Sequence, residues 1–266
     1  MGYRFDFAQK FIVTERGGIY VYSSMPGTRI YINDSLEETT GIFNREYLSQ
    51  STKPGRYLVR AENDGYRSWE KYIEVEPQKV SSVYPFLVLS DFSFEEVPEF
   101  IAESTSATTT KEVSNDLYAQ YLDLFTPQKV ATSTIDELVE KKPDIIKRVF
   151  GDVQVWYGDQ KFYAEWLARG DYLPAYFCEN GECLNPLVFL EVNSAVKHFN
   201  FYPGRDDVII FGVESGGVYL VEVDKRPPQT VVQIYQGTEN VDFRISGRDT
   251  LVIKDGDKII TTKLTK

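Results

Sequence analysis

The chain has 266 residues, of which 42% are hydrophobic and 14% aromatic, enough apolar material to bury a core in one or two domains. Its net charge is −11 and it shows no cluster of lysine and arginine, so a nucleic-acid-binding protein is not expected. No apolar run approaches the ~20 residues that span a bilayer, and the N-terminal residues lack the apolar core of a signal peptide.

Residues 1–16 are predicted to be a lead-in segment, and residues 17–89 a set of strands and tight turns. Apolar residues alternate with a period of two, which is typical of strands with one buried face, at Ile19, Val21, Ile30 and Ile32. Turn signals separate the alternating segments at Pro26-Gly27, Pro54-Gly55 and Asp64-Gly65. Strands of this length and spacing predict a small β-sandwich.

Residues 90–150 are predicted to be a connection with short helices. The Ser/Thr-rich stretch STSATTT (104–110) is typical of a flexible linker or an exposed loop. A first helix is predicted from the spacing of Leu117, Tyr121 and Leu124. A second is predicted from its capping residues, Ser133 or Thr134 with Asp136 or Glu137.

Residues 151–266 are predicted to be β-structure with a repeat. Gly-Arg-Asp precedes an apolar strand at 204–206 and again at 247–249. The distance along the chain between the two copies is close to the ~40–45 residues of one propeller blade. One full blade is predicted from the strands VKHFNF, VIIFGV, VYLVEV and VVQIY. Closed propellers use typically 4–8 blades, whereas these residues supply about three. Three explanations stay open: residues 90–150 supply strands, the array is open, or chains associate.

The two cysteines, Cys178 and Cys183, flank Asn180-Gly181, the strongest two-residue hairpin signal. In that register the cysteines face each other with Cα atoms ~4.5 Å apart, which is compatible with a disulfide. A metal site lacks ligands, because the chain has no other cysteine and a single histidine. A redox site would prefer Cys-x-x-Cys at a helix start. A disulfide, which would indicate an oxidising compartment, and a pair of buried free thiols remain the two main interpretations.

Several short stretches stand out between residues 17 and 89: Gly18–Val21, Ser24–Gly27, Ile30–Asn33, Lys53–Tyr57, Asp64–Tyr66, and Trp69 leading into Ile73–Val75. Together they resemble the PEGA domain family. The family's namesake Pro-Glu-Gly-Ala is degenerate here, where the matching residues are Met25-Pro26-Gly27-Thr28. The family's Gly-x-Thr-Pro turn has no proline in GIFN (41–44), which indicates a remodelled loop.

The whole layout resembles PEGA-domain envelope proteins of candidate-phyla bacteria, in which a membrane helix precedes the PEGA domain and degenerate WD40-like blades follow it. The resemblance implies a missing membrane anchor just before Gly2 and an extracytoplasmic position in the cell envelope. It implies no activity.

Few residues in the sequence indicate a catalytic or metal-binding site. His198 has no second histidine with which to build a catalytic arrangement, and the carboxylates at 204–207 and 254–258 lack the spacing of a calcium loop. No catalytic residue, cofactor or metal is therefore predicted. A cluster of aromatic residues in one predicted blade either fills the space between sheets or forms a ligand-contact surface: Trp156, Tyr157, Tyr163 and Trp166.

The sequence thus predicts an all-β protein with a PEGA-like β-sandwich, a linker and propeller-like blades. The predicted function is a non-catalytic, envelope-exposed binding or scaffolding protein, membrane-anchored in its full-length form. Its partner would be an envelope protein or a glycan, and not a nucleic acid. The alternative is a carbohydrate-binding module for cell-wall or surface glycans. A third interpretation is an enzyme with an unmarked carboxylate pair.

Overall fold

The computed structural model describes residues 3–6, 12–99, 112–126, 145–170, 173–179, 182–238 and 240–266. Within them, strands dominate and helix is confined to one α-helix and one 3-10 turn, which confirms the all-β fold class. Three predicted features lie outside the described residues: the stretch 104–110, the second helix near Ser133, and the turn residues Asn180-Gly181.

The chain divides into two compact units, each assembled from distant parts of the sequence. Unit 1 consists of Met1–Asp91, Ala164–Leu190 and Val221–Val231. Unit 2 consists of Phe92–Tyr163, Glu191–Leu220 and Val232–Lys266. The predicted succession of domains along the chain stays a prediction.

The N-terminal part of unit 1 is a set of short strands in three sheets. The strands are β1 (Tyr3–Asp6), β2 (Ile12–Glu15), β3 (Gly17–Tyr22), β4 (Arg29–Ile32), β5 (Ser35–Thr39), β6 (Glu46–Thr52), β7 (Gly55–Glu62), β8 (Trp69–Val75) and β9 (Val80–Val83). The sheet orders are β1-β2, β6-β3-β9 and β5-β4-β7-β8. Strand β9 runs parallel to β3, and the other pairs are antiparallel.

Alternation places one face of each long strand in the interior of this module. Strand β8 buries every second residue from Trp69 to Val75, and β3 buries Ile19 and Val21. At the start of β3 the backbone approach is so close that a Cβ on Gly17 would lie 2.3 Å from the Glu76 carbonyl oxygen. Only glycine fits there, and the strand can therefore lie tightly against the end of β8.

Two strands of this module were not predicted. Strand β5 follows a two-residue turn at Asn33 and Asp34, whose φ angles of 47° and 67° are those of a type I′ turn. Asn-Asp is a weaker signal than Asn-Gly, and the strand after it is rich in glutamate, so its pattern does not alternate. Strand β6 has an exposed leucine and only partly buried residues on its inner row.

The remaining elements follow in chain order. They are β10 (Glu95–Val97), α1 (Glu112–Asp123), β11 (Lys147–Phe150), β12 (Val153–Gly158), β13 (Lys161–Trp166), the 3-10 turn Ala175–Phe177, β14 (Cys178–Glu179), β15 (Glu182–Cys183), β16 (Leu187–Glu191), β17 (Val196–Phe201), β18 (Val208–Val213), β19 (Gly217–Glu222), β20 (Val231–Tyr235), β21 (Asp242–Ser246), β22 (Thr250–Asp255) and β23 (Lys258–Lys263).

Three four-stranded sheets arise from these elements, with orders β11-β12-β13-β16, β17-β18-β19-β20 and β10-β23-β22-β21. The second has the four strands that the sequence predicted for one blade. Residues 90–150 supply an outer strand to each of the other two: β11 and β10. Residues 90–150 therefore do supply strands, whereas the number of blades and their closure stay predictions. Strand β10 pairs with β23, which lies far away in sequence, and so completes the short C-terminal repeat.

The predicted helix is confirmed as α1. The residues that pack on the core, against Val97, Val252 and Ile259, are Tyr118, Tyr121, Leu122 and Phe125. Of the three residues whose spacing predicted the helix, Tyr121 thus packs on the core, whereas Leu117 and Leu124 are exposed.

Candidate functional site

The two cysteines form a disulfide, as one of the two sequence interpretations predicted. Cys178 lies opposite Cys183 in the β14–β15 pair, with their Cα atoms 4.0 Å apart. The pair follows the buried Tyr176 and Phe177 of the 3-10 turn. The sequence therefore predicted the pairing of the two cysteines correctly.

The disulfide forms part of the wall of a cleft in unit 1, with a volume of about 480 Å³. The opposite wall comes from β7, β8, β9 and the residues between β8 and β9. The residues that line the cleft are Arg56, Tyr72, Ile73, Glu74, Glu76, Lys79, Val80, Ser81, Leu173, Ala175, Cys178, Cys183, Arg226 and Pro227. The lining of the cleft therefore combines aromatic and aliphatic side chains with charged side chains of both signs.

Two of the charged side chains at the cleft are held by neighbours. Arg226 is fixed by the Asp224 carboxylate at 2.7 Å and by the Ser82 carbonyl oxygen at 3.1 Å. Lys79 pairs with Glu76 at 2.5 Å.

Arg56 differs from these two cations. Its guanidinium lies over the Tyr72 ring, 4.2 Å from the ring centroid. Within the described part of the chain it has no ion pair, so its charge and its N–H donors face solvent at the cleft.

A buried charged cluster holds one side of the cleft to the rest of unit 1. Lys71 occupies an inward position of β8 and is fully buried, and its Nζ lies 3.0 Å from the Glu222 carboxylate and 3.0 Å from the Asp224 carbonyl oxygen. Trp69 Nε1 and the Thr230 N–H also donate to Glu222. Both carboxylate oxygens of the glutamate are thus engaged, which is the condition under which a buried ion pair is tolerated.

The electrostatics of this cluster follow from its burial. Burial raises the pKa of the Glu222 carboxyl, and the positive charge of Lys71 opposes that shift. Burial acts in the same direction on Asp224, but the Arg226 guanidinium outweighs it and lowers the pKa of that carboxyl. Sequence reasoning missed this cluster. Its one signal was a lysine in the apolar row of WEKYIEV, where a buried charge requires a counterion.

The comparison with protein families decides the identity of this N-terminal module. Residues 16–89 form a PEGA domain. The match covers the strands that line the cleft and the buried Lys71, whereas the disulfide and Glu222 lie outside it. PEGA domains are typically extracellular or periplasmic and associated with binding. A search of curated proteins found no match.

The PEGA domain and the disulfide together indicate an extracytoplasmic location. Over the residues that the structure describes, none of the helices has the length and apolar character needed to cross a membrane.

The loop of the PEGA domain that lacks the family's proline presents two apolar side chains at its tip. Phe43 is 100% exposed and Ile42 is 71% exposed. The Gly41 N–H donates to the Asn44 carbonyl oxygen at 2.6 Å and closes the turn. Arg45 donates from Nη1 to a backbone carbonyl at 2.8 Å and anchors the far end of the loop. The loop at 41–44 is therefore a hydrogen-bonded turn that holds an aromatic ring in solvent.

The four aromatic residues predicted as a ligand-contact surface lie on two different faces. Trp156 and Tyr163 stack face to face with ring centroids 5.2 Å apart, and both are partly exposed. The ammonium group of Lys147 lies 4.7 Å from the Trp156 ring centroid. By contrast, Tyr157 packs 5.0 Å from the buried Phe162, and Trp166 packs 6.5 Å from the buried Phe177.

Alternation along β12 and β13 explains this division, because neighbouring residues point to opposite faces. Trp156 and Tyr163 share one face with Lys147. Tyr157 and Trp166 are also partly exposed but pack against buried rings. A ligand-contact role for the four residues stays a prediction.

His198 lies in unit 2, outside the cleft. Its ring packs edge-on against Phe243 with centroids 5.0 Å apart. Burial lowers the pKa of His198 to about 4, and the charges of Arg244 and Arg148 act in the same direction. At neutral pH the imidazole is uncharged and packed against an aromatic ring, which is a structural role.

The acidic turns considered for calcium are engaged in the fold. Asp207 pairs with Arg205 at 2.6 Å, and Asp255 accepts from Tyr235 at 2.8 Å and from Thr238. Nowhere in the described ranges do three or more histidine, cysteine, aspartate or glutamate side chains form a group that could hold a metal ion.

Proposed function

We propose that this protein is a non-catalytic binding or scaffolding protein of the cell envelope, tethered to the membrane in its full-length form and exposed on the extracytoplasmic side. The observation that carries the proposal is the cleft of about 480 Å³ between the PEGA strands and the disulfide hairpin. Ligand sites in proteins typically measure about 300–1,000 Å³. The assignment of the three four-stranded sheets to a WD40-like array is part of the same proposal.

The chemistry of the cleft favours binding. Both cysteines on its wall are joined to each other, so neither offers a thiolate. The hydroxyl of Ser81 donates to the Glu74 carbonyl oxygen and has no histidine next to it. Among the lining residues there is therefore neither a thiolate nor a serine–histidine pair, two common nucleophilic arrangements.

The lining also indicates what the cleft binds. The Arg56 guanidinium and the face of Tyr72 form a charged and apolar pair that matches an acidic group next to an apolar side chain. The backbone groups of β8 and β9 at the cleft are already engaged, since the Tyr72 N–H donates to the Pro227 carbonyl oxygen and the Ser82 carbonyl oxygen accepts from Arg226. Side chains of an envelope protein, an acidic one next to an apolar one, would therefore make the contacts.

Site-specific photo-crosslinking in the native envelope tests this function. A photo-reactive amino acid replaces Val80, which is 53% exposed and lines the cleft, or Val231, which is 47% exposed and does not line it. We expect a discrete adduct from position 80 that weakens when Arg56→Glu is added, and no such adduct from position 231. Equal adducts from both positions, or none from position 80, would contradict the proposal.

A second candidate function is glycan binding at the stacked pair. Trp156 and Tyr163 present parallel, partly exposed rings beside the Lys147 ammonium, and flat aromatic faces stack on sugar rings. Co-sedimentation with purified cell-wall sacculi tests it, with Trp156→Ala as the binding variant and Trp156→Phe as the control that keeps a ring. Saturable binding that Trp156→Ala loses and Trp156→Phe keeps would favour a glycan-binding protein.

A further inference from the structure

Arg148 of strand β11 is a partly buried cation that has no counterion among the described residues. Its Nε–H is buried and has no hydrogen-bond partner. The two terminal Nη groups also have no partner over the described ranges, and they are not enclosed, so a ligand can reach them. Because one edge of the guanidinium is desolvated, its charge is less hydrated than that of a surface arginine, and an anion beside it is held more strongly.

Strands β11 and β17 place aromatic rings beside this guanidinium. Its central carbon, Cζ, lies 5.7 Å from the ring centroid of Phe199. Phe150 follows Arg148 two residues later on β11 and therefore shares a strand face with it. The Phe150 ring lies 5.8 Å from the Phe201 ring, centroid to centroid, and the residue is 45% exposed. An unpaired guanidinium and an accessible apolar ring thus lie on one face of β11.

A second cation, Arg244 of β21, adds positive charge nearby but is itself paired. Burial lowers the pKa of Arg148, and the charge of Arg244 acts in the same direction. Arg244 pairs through Nη1 with the Asp242 carboxylate at 2.8 Å. It also donates to the carbonyl oxygens of Phe243 at 2.6 Å and Leu124 at 3.2 Å. Within the described part of this cluster one positive charge therefore remains uncompensated, which matches a monoanion.

We propose that Arg148 binds the carboxylate of a small organic acid whose apolar part lies against Phe150. A planar carboxylate accepts two parallel N–H bonds from one guanidinium, and it carries the single charge that the site can neutralise. A phosphate dianion would need a second unpaired cation. The site lies in unit 2, whereas the residues of the cleft belong to unit 1. The inference therefore goes beyond the proposed function and does not depend on what the cleft binds.

Nuclear magnetic resonance of the 266-residue chain with carbon-labelled histidine tests the inference, because His198 is the single histidine of the chain. His198 precedes Phe199, and the charge of Arg148 already acts on its imidazole, so an anion bound at Arg148 changes the His198 signal. Benzoate, added up to about 50 mM at pH 7 and constant ionic strength, should shift this signal saturably. Benzamide, which has the same shape without the charge, should not shift it. Inorganic phosphate should bind at least about tenfold more weakly than benzoate.

Variants of the guanidinium locate the site. Arg148→Gln should weaken benzoate binding at least about tenfold, the loss expected when charge-assisted hydrogen bonds are removed. Arg148→Lys keeps the charge without the planar fork, so it should also bind more weakly than the wild type, and it serves if the glutamine variant does not fold. The matched control is Arg248→Gln, at an exposed arginine of the same unit, which should leave the titration unchanged. Urea denaturation without benzoate checks that each variant is folded.

Several outcomes would overturn the inference. A wild-type His198 signal that does not saturate with benzoate would exclude the site. Equal shifts with benzamide would show that the charge plays no part, and phosphate binding as tight as benzoate would contradict the choice of a carboxylate. Benzoate binding that Arg148→Gln retains in full, or that Arg248→Gln weakens equally, would place the ligand elsewhere.

Discussion

Replacing Lys71 by methionine removes one charge of a fully buried ion pair and leaves the other. The Lys71 and Glu222 side chains are 0% and 3% exposed, and the ammonium nitrogen lies 3.0 Å from the carboxylate oxygen. At an effective dielectric constant of about 20 the attraction at this distance is roughly 5 kcal/mol. Loss of one partner from such a pair typically costs about 3–5 kcal/mol of the free energy of unfolding.

Urea denaturation at pH 7, followed by tryptophan fluorescence, measures the cost of Lys71→Met, and Trp69 within the cluster reports on it directly. The matched control is Lys79→Met. It removes the same group from an exposed pair with Glu76 and should cost at most about 1 kcal/mol.

The double variant Lys71→Met/Glu222→Gln should recover most of the loss, because no unpaired charge remains buried and the carbonyl oxygen of the introduced amide can still accept from Trp69. A Lys71→Met variant no less stable than Lys79→Met would refute this account of the cluster. A double variant that loses as much as the two single variants combined would also refute it.

The remaining predictions concern pH and redox state. The pKa of His198 is about 4 in the folded chain against an ordinary 6.5, so the unfolded chain binds this proton more tightly. The free energy of unfolding therefore decreases as pH falls from about 6.5 to about 4, by roughly 3 kcal/mol at most. The urea midpoint of the wild type should fall over this pH range, and the midpoint of His198→Gln should not show this pH dependence. The disulfide closes a short loop, with a sequence separation of 5. The free energy of unfolding of the Cys178→Ser/Cys183→Ser double variant should therefore be lower than that of the wild type by about 2 kcal/mol or less. The wild type measured in reductant should show the same decrease. Protein alkylated in its native envelope without reductant should leave both cysteines unlabelled, and labelling would contradict the extracytoplasmic assignment.

The elements that the sequence predicted well are those whose signals are local. Strands β17 to β20 alternate or are largely apolar, and Gly-containing turns separate β17 from β18 and β18 from β19, so their positions follow from periodicity and turn signals. The same applies to the cysteine pair, because the Asn-Gly signal in the sequence predicts which residues face each other across the hairpin, and the observed register agrees. The PEGA domain was recognisable because its turn residues occur at fixed positions between short strands.

The features that escaped prediction depend on contacts between distant residues. Lys71 and Glu222 are 151 positions apart, and nothing in either local pattern specifies the other as its partner. Strand β10 is only three residues long and is polar at two of them, so its pairing with β23 has no periodic signal. In the aromatic cluster, the sequence indicated four rings, but the strand register decided which two stack on each other and which pack against buried rings.

The pairing of β10 with β23 also dictates the order in which the C-terminal sheet can be completed. Glu95 faces Thr261 across this pair, so the first-made strand of the sheet waits for a partner 166 positions later. A polypeptide that emerges N-terminus first would leave β10 without its partner until β23 has emerged. Chains cut short near the C-terminus would then retain an unpaired strand edge, the kind of surface on which misassembly begins.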